Sequence, residues 1–114
     1  MINHRVMFLR DQRGQPVGCI AIKASIPNEI AWRLPEVSYQ ISVLNPSDRF
    51  NRAVARQLAL GRLIEQPIHV DVCQDPSMHD ITRAVMSDIV SDKLAPGRAR
   101  KAANLWIKTG VIPA

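Results

Sequence analysis

The stretch V-S-Y-Q-I-S-V-L-N-P-S-D-R-F-N-R-A-V-A-R-Q-L-A-L-G-R-L, residues 37–63, holds a strand pattern, a helix start and four arginines in succession. Val37, Tyr39, Ile41 and Val43 alternate with Ser38, Gln40 and Ser42, the period of a strand with one buried face. Asn45-Pro46-Ser47-Asp48 then opens a helix. Asn45 as N-cap accepts from free backbone N–H groups, Pro46 suits the first helical position, and Asp48 complements the helix dipole. The helix is expected to run to about Leu63, with Gly61 as a weak point and Gln66-Pro67 preventing continuation. Phe50, Val54, Leu58 and Gly61 share the face expected to point inward. Arg49, Arg52 and Arg56 share the opposite face, with Arg62 displaced from them.

Outward from this stretch, two apolar runs, residues 6–10 and 17–23, flank turn chemistry around Gly14 and read as a hairpin. Residues 25–36 form a longer connection, bounded by Pro27 and Pro35, that either tucks Ile26, Ile30, Trp32 and Leu34 under the sheet or displays them. Ile68, Val70 and Val72 alternate with His69, Asp71 and Cys73 as a fourth strand. Asp75-Pro76-Ser77 starts a second helix to about Leu94, with Ile81, Val85 and Ile89 as its apolar stripe. Ala95-Pro96-Gly97 breaks it. A third helix, residues 98–109, carries Ala99, Ala102, Ala103 and Trp106 on one side, with Gly110 as C-cap. The expected fold is a single α+β domain over residues 1–114. Its order is ββ-loop-β-α-β-α-α, an antiparallel sheet of about four strands with all three helices packed on one face.

At 114 residues and 46% hydrophobic, the chain can bury one core without a staple. Cys19 and Cys73 lie in apolar, β-branched surroundings, and the first ten residues lack a signal-peptide pattern. The expectation is a reduced, cytoplasmic protein with no membrane span. A net charge of +5 and a pI near 9.9 favour acidic partners. The charge is segregated. Five aspartates (Asp71, Asp75, Asp80, Asp88, Asp92) face only Arg83, whereas Lys93, Arg98, Arg100, Lys101 and Lys108 follow with no acid among them. Pairing of an acidic helix with a basic one and binding of phosphates by Arg98, Arg100, Lys101 and Lys108 both remain open.

The arginines of the first helix present guanidinium forks able to grip carboxylates or phosphates bidentately, unless Arg49 and Arg52 simply pair with Asp48. Apolar neighbours favour a protein interface over bare DNA, and the candidate contact residues are Arg49, Arg52, Arg56 and Arg62, joined by Trp32 and Arg33 in the long loop. Trp106, on the small-residue side of the last helix, is expected in the core. His69, Asp71 and Cys73 would stand in a row along one strand, which is not a convergent catalytic triad. His69, Cys73 and His79 lack the paired spacing of a zinc site. No enzyme activity, metal or cofactor is expected. Arg56-x-x-Ala59-x-Gly61 resembles the pyrophosphate-binding signature of acetyl-CoA-dependent N-acetyltransferases, but there the motif opens a helix and here it ends one.

Tyr39-x-x-Ser42, Asn45-Pro46-x-Asp48-Arg49-Phe50, Ala55-Arg56, Ala59 and Gly61-Arg62 together resemble small uncharacterised proteins encoded by bacterial phages and plasmids, over residues 37–63. The resemblance implies an anti-defence protein that binds host machinery, as anti-CRISPR inhibitors do. Many of those are acidic DNA mimics, which this basic chain is not. The leading expectation is a non-enzymatic inhibitor in the host bacterial cytoplasm, gripping an acidic surface on a host protein or ribonucleoprotein. Non-specific nucleic-acid binding, a small acyltransferase-like enzyme and a homodimer are the alternatives.

Overall fold

Alternating side chains make residues 2–10 and 16–25 a pair of antiparallel strands, β1 (Ile2–Arg10) and β2 (Pro16–Ser25). The structure is a computed structural model that describes residues 2–25, 35–43, 49–73 and 76–109. At the hairpin turn Gly14 adopts φ +76°, where a Cβ would be strained. Asp11 ties the turn down, its Oδ1 accepting from the N–H groups of Arg13 at 2.9 Å and Gln15 at 3.0 Å. β3 (Glu36–Val43) pairs antiparallel with β2, and the short β4 (Ile68–Val70) pairs antiparallel with β3. The sheet order is β1-β2-β3-β4.

The first helix, α1 (Arg52–Glu65), is capped by Asn51, whose side chain accepts from the N–H of Val54 at 3.2 Å. It therefore starts at Arg52 rather than Pro46, and residues 49–51 are not helical. α2 (Met78–Ser91) opens on a capping box in which the Ser77 hydroxyl accepts from the Asp80 N–H and the Asp80 carboxylate accepts from the Ser77 N–H. It ends before Leu94, at Asp92. α3 (Gly97–Thr109) agrees with the expected third helix and buries Ala99, Ala102, Ala103 and Trp106. The expected caps Asn45, Asp75 and Gly110 lie outside the described residues, as do Trp32 and Arg33 of the long connection.

The α+β class, the four antiparallel strands and the three helices follow the sequence reading; the placement of the helices does not. Met7, Leu9, Ile20, Ile22, Val37, Tyr39 and Ile41 form one core with Ile81, Val85, Met86 and Ile89 of α2 and the small-residue side of α3. On the opposite side of the sheet, Val6, Phe8, Cys19 and Ala21 pack with Ala55, Ala59 and Leu63 of α1. Among the described residues the sheet is thus sandwiched, with α1 on one face and α2 and α3 on the other. A second covered face was hard to read because it is built from small and polar residues: Ser42, expected in solvent, is buried and its hydroxyl donates to the Ala55 carbonyl at 2.8 Å. The Gln40 amide likewise donates to the Gln66 carbonyl at 2.8 Å. Among the described residues no helix is long and apolar enough to cross a membrane.

Candidate interaction surfaces

α1 is turned differently from the expected orientation. Its buried residues are Ala55, Ala59 and Leu63, while Val54 and Leu58 are about half exposed, at 48% and 49%. The cause is close approach. Cys19 and Ala21 are the β2 side chains beneath the helix, and small residues facing small residues let the backbones come together, leaving no room for Val54 or Leu58 between them. Phe50 still packs against this cluster at its edge, with its ring 5.9 Å from that of Phe8 in an edge-to-face arrangement.

The arginines accordingly flank the sheet-facing side and do not form one outward row. The Arg52 guanidinium lies 5.4 Å from the centroid of the Phe8 ring, a cation–π contact. Arg62 Nη1 donates to the Ile41 carbonyl at 2.9 Å, which ties the last turns of α1 to β3. Arg56 is exposed, and its charge reaches the buried Cys19 thiol. Burial still dominates there and pushes that thiol up to about 11, so it stays protonated and a poor nucleophile. Arg49 is exposed ahead of the helix.

What faces outward instead is a mainly apolar surface, with the exposed Glu65 as a charge at its C-terminal end. Ala53, Val54, Gln57, Leu58, Gly61 and Ile64 are all exposed, with Val54, Gln57, Gly61 and Ile64 at spacings of three, four and three. Ile64 is 84% exposed. A Cβ at Gly61 would touch nothing, so the middle of this surface is a shallow gap between Val54, Leu58 and Ile64. Ile64 also lines a hollow of about 480 Å³ beside the end of α1. The cross-strand row His4, Lys23, Ser38 and His69 contributes its polar lining. Sequence reasoning missed this surface because it assigned the bulky apolar residues inward; the uncharged run of Val54, Gln57, Gly61 and Ile64 was the available signal.

The C-terminal cations divide. Arg98, Lys101 and Lys108 line a cleft of about 600 Å³ between α3 and the β1–β2 turn, whereas Arg100 points its Nε at the Val90 carbonyl of α2, 3.4 Å away. Arg13 of the turn joins the cleft, which no sequence spacing could have revealed because it needs the tertiary fold. On α2, Asp80 is occupied by its own capping box, which lowers its pKa through hydrogen bonds from Ser77. Asp88 accepts from the Tyr39 hydroxyl at 2.5 Å. Those two acids thus serve a cap and the core contact of a tyrosine.

His69 is the only one of His69, Asp71 and Cys73 that lies in β4, so the expected row along one strand does not form. Cys73 Sγ instead lies 3.9 Å from Asp80 Oδ2. Among the described residues no three His, Cys, Asp or Glu side chains are grouped to hold a metal ion. Trp106 is 93% buried, given its 7% exposure, and its ring lies 5.5 Å from that of His79. Compared with known proteins, the chain matches no family model, no curated protein and no solved structure.

Proposed function

We propose that this chain is a non-enzymatic interaction protein that docks through the outward face of α1. The partner is a protein whose contact surface is apolar at its centre and acidic at its edge, and docking obstructs that partner. In the setting that the resemblance of residues 37–63 implies, the partner is a host protein or ribonucleoprotein and the docked chain an anti-defence inhibitor. The observation that carries this reading is the apolar strip of Val54, Leu58, Gly61 and Ile64 in solvent, ending at Glu65, on a helix whose flanks hold Arg52, Arg56 and Arg62. An apolar centre with a charged rim is the usual anatomy of a protein interface, and arginine is enriched there. Large apolar side chains grouped on one exposed helix face also mark an interaction site more than scattered ones do. A second copy of the chain is a poorer occupant, since α1 carries Arg52, Arg56 and Arg62 against Glu65 and would meet its own charge.

Substituting Val54→Glu and Leu58→Glu together tests this. Both side chains are half exposed, so thermal unfolding should stay within a few degrees of wild type. Capture of a host protein by the tagged chain, in lysate treated with nuclease, should be lost. Retained capture by the double variant at unchanged stability would remove the α1 face as the interface.

A further inference from the structure

We infer that the cleft between α3 and the β1–β2 turn binds a nucleoside diphosphate or triphosphate. The site lies across the sheet from α1 and does not depend on the interaction surface proposed there. Its cations come from two elements: Arg13 from the turn, and Arg98, Lys101 and Lys108 from α3. On the helix these three fall, with Leu105, at spacings of three, four and three, and so along one face. From Arg98 to Lys108 the helix rises roughly 15 Å, about the length of an extended nucleotide with its phosphates.

Among the described residues the cleft has one carboxylate, that of Asp11, and its Oδ1 already accepts from the Arg13 and Gln15 N–H groups. Those bonds, with the Asp11 N–H to Gln15 carbonyl bond at 3.0 Å, fix the turn that carries Arg13. The cation is therefore presented by a defined loop and not by a loose tip. Beneath the cations the surface is apolar: Val17 and Ala102 are buried and Leu105 is half-buried. Asn104, exposed at the edge, offers both amide donor and carbonyl acceptor.

An apolar floor with a cationic rim fits a ligand that has a flat ring at one end and two or more phosphates at the other. A bare inorganic anion would leave the floor unused. The volume of about 600 Å³ lies within the range of small-molecule sites, roughly 300–1,000 Å³. A nucleic-acid strand is less well served, because Arg100, which would continue the row of cations around α3, is turned to the Val90 carbonyl of α2.

The test is calorimetric titration of the full chain with ADP, GDP, pyrophosphate and a twelve-nucleotide single strand, alongside the variants Arg13→Glu, Lys101→Glu and Arg83→Glu. Arg83 is an exposed cation on α2 away from the cleft. ADP or GDP should bind one to one and be displaced by pyrophosphate. Arg13→Glu and Lys101→Glu should each weaken binding about tenfold, the value of one charge-assisted hydrogen bond, and Arg83→Glu should leave it unchanged. Three results would overturn the inference: binding of the oligonucleotide without the mononucleotides, nucleotide binding that pyrophosphate does not displace, or equal weakening by Arg83→Glu. Absence of all binding at millimolar ligand would overturn it as well.

Discussion

Gly18 is the residue at which the sheet is least forgiving. It sits opposite Val43 in the β2–β3 register, and a Cβ there would fall well inside van der Waals contact with the Ser42 carbonyl oxygen. Backbone cannot swing aside as a side chain tip can, so Gly18→Ala should destabilise by about 1–3 kcal/mol, read as a lower denaturant midpoint. Two buried titratable groups make a second prediction at this scale. Burial holds the Cys19 thiol up at about 11 against an ordinary 9.0. Burial first, and then the hydrogen bond to Asp88, carry the Tyr39 hydroxyl far above its ordinary 10.0. Both folded values lie above the unfolded ones, so the folded chain keeps protons that the unfolded chain has released. The stability they contribute is complete below pH 9 and is lost as pH rises, through about 11 for Cys19 and beyond for Tyr39. Each group adds a slope of up to about 1.4 kcal/mol per pH unit. Denaturation midpoints should therefore fall between pH 9 and 11, and Cys19→Ala should flatten that fall.

At the scale of the element, α1 shows what sequence could and could not convey. Its existence was legible in the run from Arg52 to Leu63, where good helix formers follow a capping-type residue, though the cap in use is Asn51. Its orientation was not. Periodicity separates faces but does not say which is buried when one carries Ala55 and Ala59 and another carries Val54 and Leu58; that choice depends on what the sheet offers. Cys19 and Ala21 offer little bulk, so the alanine face wins by approaching closely, and Ser42 secures it through the Ala55 carbonyl. The arginines then fall on the flanks, where Arg52 covers Phe8 and Arg62 reaches Ile41. A pair of substitutions separates the two orientations. Ala59→Leu, at a fully buried position, should cost about 1–3 kcal/mol through overpacking. Leu58→Ala, half exposed, should cost less than about 1 kcal/mol. If the order were reversed, with Leu58→Ala the more damaging, the helix would be facing the other way.

For the whole molecule, the sheet separates two surfaces of different chemistry. On one side stands α1 with its apolar outward strip, and on the other α3 presents cations at a cleft completed by the hairpin turn. The net charge of +5 was legible from composition, but its division was not, because Arg13 and Lys101 are far apart in sequence and meet only once β1, β2 and α3 are packed. The same holds for the sandwich. The order β-β-β-α-β-α-α could be read from periodicity and turn residues, yet that order alone permits α1 on either face of the sheet. The claim that the α1 face is the docking surface is tested most directly by photocrosslinking from position 58 in host cells, compared with position 83 on α2. A single discrete protein adduct from position 58 that survives nuclease and is absent from position 83 is the expected result; no adduct from position 58, or the same adducts from both positions, would contradict it.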